Sequence, residues 1–130
     1  MIVVDASVVV ELLLQTAAAP AIRDRVFSGD EALHAPALMD IEVAQVMRRY
    51  TDRGELAAAR GRVALDLLRQ LPIDRHDHRA LLARIWSLRA NLTAYDAAYV
   101  ALAEALGATL VTRDSRLAKA TGARTRVDVI

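Results

Sequence analysis

The chain has 130 residues and a mass of 14.2 kDa, a size that fits one domain, residues 1–130, and leaves no room for a second. Hydrophobic residues make up 55% and charged residues 25%, with 5 Gly, 3 Pro and no Cys. Disordered, collagenous and disulfide-scaffold classes are thereby excluded, as are thiolate metal sites and cysteine nucleophiles. The formal net charge is only +1.

The β-branched run Ile2-Val3-Val4, closed by Asp5, predicts a buried strand. Because a carboxylate arrives before any apolar h-region develops, this start does not read as a signal peptide. Ser7 can cap a helix over Val8 to Leu14, and Ala17 to Phe27 is helical with Pro20 near its first turn. Ala32 to Ala35, bounded by Pro36, predicts a second strand. Leu38 to Asp52 is a helix stopped at Gly54, and Glu55 to Gln70 returns antiparallel to it. Leu71 to Ile73 is a short strand, and Asp77 to Arg89 a helix with an apolar stripe of Leu82, Ile85 and Trp86. Thr93 to Leu106 is a helix ending at Gly107. Ala108 to Thr112 is a strand, Leu117 to Thr121 a helical turn, and Val127 to Ile130 a final strand. Alternating strands and helices predict an α/β fold, a mostly parallel sheet of four to five strands with helices on both faces. No apolar stretch approaches the roughly 20 residues of a membrane span, so a cytoplasmic protein without a membrane partner is expected.

Sixteen of the seventeen basic residues are arginine, the exception being Lys119. Arginine's planar fork suits phosphate, although a GC-rich genome produces the same bias. Five aromatic side chains do not make a base-stacking platform, so a bound nucleic acid would be held mainly through its backbone.

Four acids fall where carboxylates are costly. Asp5 ends the first strand and Asp114 follows the fourth, at the carboxyl ends where open parallel sheets bind ligands. Glu42 has Leu38, Met39 and Val46 at helical spacing, and Asp96 stands three residues after Thr93 on a helix whose only other charge is Glu104. Each has an ordinary explanation alone: a cap, a rim residue, an acid against a helix dipole, a turn. Together they predict a cup, with Ser7 and Thr112 supplying hydroxyls at matching positions. Carboxylates about 4 Å apart repel by several kcal/mol even at an effective dielectric near 20, so such a cup requires protons or cations. Oxygen ligands without histidine select Mg²⁺ or Mn²⁺ over zinc, and hard cations in an acidic cup serve phosphoryl transfer by activated water.

These segments, "IVVDAS", "MDIEVAQV" and "LTAYDAAYVALAEALGATLVTRD", resemble PIN-domain ribonucleases, and more narrowly the VapC-type toxins of VapBC toxin–antitoxin systems. The resemblance covers essentially the whole chain. It implies a three-layer α/β/α PIN-like domain that hydrolyses RNA with Mg²⁺ or Mn²⁺. It further implies that Asp5, Glu42, Asp96 and Asp114 are both catalytic and metal-binding, with Ser7 and Thr112 as supporting hydroxyls. In that reading Asp5, Asp96 and Asp114 bind one cation, and Glu42 binds a second, transient cation or orients the attacking water. A homodimer and a VapB-type antitoxin, alone or in a higher assembly, are implied partners. One departure stands out: Arg116 occupies a place where some PIN domains carry a further aspartate, which puts a full second metal site in question.

Arg113 and Arg116 flank the cup and are candidate contacts to RNA phosphates, with exposed turn arginines as the alternative. His76-Asp77-His78 reads as a solvated turn and helix cap rather than a metal site. Trp86 is expected in the core or as an interface anchor, Tyr95 in the core or, being next to Asp96, against RNA, and Arg48, Arg49 and Arg53 on an exposed helix face. The competing reading is a catalytically silent PIN-like binding module acting through protein or RNA partners. Dehalogenase-type and receiver-type phosphate sites fail on Ser7 and on the position of Lys119.

Overall fold

The computed structural model describes residues 1–120 and 122–130. Strands β1 (Ile2–Val4), β2 (Leu33–Pro36), β3 (Ile73–His76), β4 (Thr109–Thr112) and β5 (Val127–Val129) form a sheet in the order β3-β2-β1-β4-β5. Every pairing is parallel, not merely most. The helices are α1 (Ala6–Leu14), α2 (Ala19–Phe27), α3 (Leu38–Asp52), α4 (Ala58–Gln70), α5 (Leu82–Ser87), α6 (Ala94–Leu106) and α7 (Ser115–Ala118).

The connections step from β1 to β2 to β3, then return across the sheet to β4 and on to β5. Right-handed crossovers therefore place α1 to α4 on one face and α5 to α7 on the other. Side chains agree: Arg75 of β3 reaches Asp40 of α3, Arg25 of α2 reaches Asp128 of β5, and α6 packs across β1, β2 and β4. The strand order reverses between β1 and β4, so the crevice beyond their carboxyl ends is the fold's natural ligand position.

Local chemistry explains where the elements depart from expectation. Helix α1 starts at Ala6 because Asp5, with extended backbone (φ −80°, ψ 152°), is its N-cap residue. Ser7 does not cap; its hydroxyl donates to Asp5 Oδ2 at 3.1 Å. Helix α4 starts at Ala58 rather than Glu55, because the Glu55 and Leu56 N–H groups both donate to the Tyr50 carbonyl (2.9 and 3.2 Å) and close the turn at Gly54 (φ 73°). Strand β3 runs past Pro72 to His76, since β2 pairs Leu33–Pro36 with Ile73–His76. His76 is therefore a strand residue, not part of a solvated turn. The expected helix over Asp77 to Arg89 divides into a 3-10 turn at Arg79–Leu81 and the short α5. The Asp77 carboxylate accepts from the Arg79 N–H at 2.7 Å, the cap that was expected there. The turn after β4 is Ser115–Ala118; of the expected turn's end, Thr121 lies outside the described residues.

The core gathers β1, α1 and the inner faces of α3, α4 and α6. Seven consecutive residues of α6, Ala97 to Ala103, are buried, four of them alanines small enough to let the helix lie close on the sheet. Of the two places expected for Trp86, the core is excluded: it is 68% exposed, with the Arg89 guanidinium 4.6 Å over its ring, and Leu82 of the same stripe is exposed too. Among the described residues no single helix is long and apolar enough to cross a membrane; α1 and α2 together have the length but bend by 119°.

Candidate functional site

Asp5 is buried at the end of β1, where its carboxylate is held from two sides. Thr112 Oγ1 donates to Asp5 Oδ2 at 2.6 Å and Ser7 Oγ at 3.1 Å. Thr112 is fully buried at the matching end of β4, and its hydroxyl also accepts the Asp114 N–H at 3.0 Å. The Ser7 hydroxyl accepts the Arg113 N–H at 3.1 Å. These bonds fasten the loop after β1 to the loop after β4, so Asp5 and Asp114 are set by one network.

Glu42 and Asp96 arrive on helices from opposite faces. Glu42 is half-buried on α3 and accepts a 2.6 Å hydrogen bond from the Tyr99 hydroxyl of α6. Asp96 lies one turn before Tyr99 on α6; Thr93 caps that helix by accepting the Asp96 N–H at 3.2 Å, as the spacing predicts. Burial pushes the Glu42 carboxyl up, the Tyr99 hydrogen bond opposes this, and the charges of Asp5 and Asp96 push it further up. Burial also raises Asp96, followed by the charges of Asp5 and Asp114, against Arg116 and Thr93. Asp5 thus acts on both Glu42 and Asp96, Asp96 on Glu42, and Asp114 on Asp96, so each predicted acid is within electrostatic reach of at least one other.

A cleft of about 640 Å³ opens there, lined by Asp5, Ser7, Ile41, Glu42, Gln45, Arg49, Tyr95 and Arg116 among others. Tyr95 is 65% exposed at its rim, not in the core, because an apolar ring beside Asp96 faces the cleft instead of the sheet. Arg116 grips Asp114 (Nη2 to Oδ2 2.6 Å, Nε to Oδ1 3.0 Å) and holds that carboxyl below the usual range. The Arg113 guanidinium is drawn instead to the Ile130 carbonyl (2.5 Å) and Glu11 (4.0 Å). Only the Arg113 backbone joins the network described above.

Among the described residues no three His, Cys, Asp or Glu side chains stand ready to share a cation. Competing partners account for this: Arg116 holds Asp114, and Tyr99 holds one oxygen of Glu42. The donor chemistry nevertheless fits a hard divalent ion, with only carboxylate and hydroxyl oxygens present and unrelieved repulsion at Glu42 and Asp96. Tyr99, Gln45 and Arg49 are site residues not singled out from sequence. Tyr99 was legible in principle, since it stands one helical turn from Asp96.

The histidines lie elsewhere. His34 Nδ1 and His76 Nε2 are 2.9 Å apart between β2 and β3, and His34 Nε2 is buried without a partner.

Residues 2–123 match the PIN domain family. The chain is 46% identical over 130 residues to the VapC ribonuclease Mb0985 of Mycobacterium bovis, covering 100% of this chain and 98% of that protein. It is 45% identical over 120 residues to ribonuclease VapC3 of Mycobacterium tuberculosis, covering 92% and 86%. Among solved structures, that of PAE2754 from Pyrobaculum aerophilum superposes with a TM-score of 0.71 at 25% identity, over 99% of this chain and 83% of the other. The acidic crevice at the strand reversal and this full-length likeness agree, and the chain belongs to the PIN-domain family as a VapC-type toxin.

Proposed function

We propose that this chain, a single PIN unit over residues 1–130, is a cytoplasmic Mg²⁺- or Mn²⁺-dependent endoribonuclease restrained by a cognate VapB-type antitoxin. The nearness of Asp5 to Glu42 and Asp96, and of Asp96 to Asp114, supports this reading, because burial and like charge raise Glu42 and Asp96 and a bound cation would relieve both. When bound, the cation supplies Lewis acidity that lowers a water's pKa and offsets charge on the phosphoryl oxygens. Asp5, Asp96 and Asp114 would hold it, and Glu42 would hold a second ion or the attacking water.

The hydroxyls of Ser7 and Thr112 keep the Asp5 carboxylate in a fixed orientation, so little reorganisation precedes binding. Arg49 and Arg116 line the cleft where a scissile phosphate would lie, and they position the RNA backbone. The exposed rim residues Ile41 and Tyr95 give an apolar border on which an antitoxin segment can close the cup. Trp86 and Leu82 are the exposed pair that a homodimer would cover.

Cleavage of RNA by wild type and by Asp5→Asn or Asp96→Asn, in Mn²⁺ and after chelation, tests this. Loss of cleavage in folded variants is expected. Full activity in either variant, or in chelator, refutes it, and a wild type that cleaves no RNA in Mn²⁺ leaves a silent binding module.

A further inference from the structure

A tyrosine fully buried for packing alone could be phenylalanine; its hydroxyl is costly to desolvate unless bonded. Tyr99 is the largest fully buried side chain of the protein, and its hydroxyl is spent on Glu42 Oε1 at 2.6 Å, a donor aimed at a carboxylate 57 residues away. Tyr99 also stands one turn beyond Asp96 on α6. One hydroxyl therefore reaches the carboxylate on α3 from the helix that carries the third acid.

We propose that Tyr99 is the positioning residue for Glu42, holding Oε1 so that Oε2 alone is offered to a cation or water in the cleft. This rests on the metal-dependent reading above. Glu42 sits on a half-exposed helix position, where three rotatable bonds would otherwise let the carboxylate leave the cup for solvent. A hydrogen bond from a ring with no room to turn removes that freedom, and it does so without adding a positive charge that would compete with the cation. The donor also restricts Glu42 to one-oxygen ligation, which suits a transiently bound ion or an oriented water better than a chelating grip.

The test uses Mn²⁺ binding to the intact protein, followed by electron paramagnetic resonance, alongside cleavage of an RNA oligonucleotide. Tyr99→Phe keeps the ring and its packing. It should weaken Mn²⁺ binding about 10-fold and lower kcat with an unchanged KM. Glu42→Asp, which draws the carboxylate back from the phenol, should weaken binding as well, and adding Tyr99→Phe to it should change nothing further. Melting curves confirm that each variant is folded, and Glu42→Asp probes the same contact from its other side should Tyr99→Phe not fold. If wild type binds Mn²⁺ and Tyr99→Phe binds it equally well, the positioning role is overturned while the nuclease reading stands. An equal loss from Tyr99→Phe in the Glu42→Asp background also overturns it. Wild type that takes up no Mn²⁺ overturns both.

Discussion

Asp96→Asn should stabilise the metal-free protein while abolishing its activity. Asp96 is half-buried, and its carboxyl is raised first by burial and then by the charges of Asp5 and Asp114. Two like charges about 6 Å apart repel by roughly 3 kcal/mol at an effective dielectric near 20, and partial exposure to solvent about halves this. The lost acid in the first turn of α6 costs about 0.5 kcal/mol, whereas the Thr93 cap survives because it accepts a backbone N–H. The net gain is about 1 kcal/mol, or roughly 3–5 °C in Tm for a domain of this size. A raised carboxyl contributes stability that is complete below the unfolded value and is lost as pH climbs through the folded one. The variant's advantage should therefore be present at neutral pH, fade as pH falls through the raised folded value, and be gone below the ordinary aspartate value of 3.8. Saturating Mn²⁺ should reverse the order, since a ligand at 100 times its Kd adds about 2.7 kcal/mol to wild type alone. Thermal melts across pH, with and without Mn²⁺, decide the matter. A variant melting below wild type at neutral pH without metal, or an advantage undiminished in acid, would refute the repulsion argument.

Two further outcomes follow from the same network. Thr112→Val removes the donor to Asp5 and the acceptor for the Asp114 N–H; it should destabilise by roughly 2–4 kcal/mol, and an unchanged urea midpoint counts against it. Arg116→Ala removes the side-chain hydrogen bonds that chiefly hold the Asp114 carboxyl low. Its midpoint should move up toward the ordinary 3.8 in a carboxyl-carbon NMR titration. Because a depressed carboxyl lends stability above its unfolded value and loses it as pH falls through the folded one, that contribution shrinks in the variant. An unmoved midpoint places the guanidinium elsewhere in solution.

Much of this architecture is written locally. The run Ile2-Val3-Val4 before Asp5, the cap at Thr93 and the stop at Gly107 (φ 61°) each act within a few residues, and each lies where its local chemistry points. The four acids were legible because charge in an apolar context is conspicuous without knowing its partners. Pairings formed only in three dimensions were not. Nothing in the order of residues announces that Tyr99 serves Glu42, that His34 meets His76, or that Arg75 spans Asp40 and the carbonyls of Leu68, Leu71 and Ile73. Leu82 and Trp86 show what spacing leaves open: it identifies an apolar stripe but not what covers it.

The central position of β1 has a consequence for synthesis. Strand β1 belongs in the middle of the sheet, yet β4 arrives only with Thr109–Thr112, and the hydroxyl that seats Asp5 is 107 residues downstream of it. One edge of β1 can pair with β2 once Leu33–Pro36 is made, while the other stays open until β4 follows, so closure of the sheet waits on long loops. Asp5 is therefore seated only after Thr112 has been made, and until then its carboxylate lacks the donor that fixes its orientation.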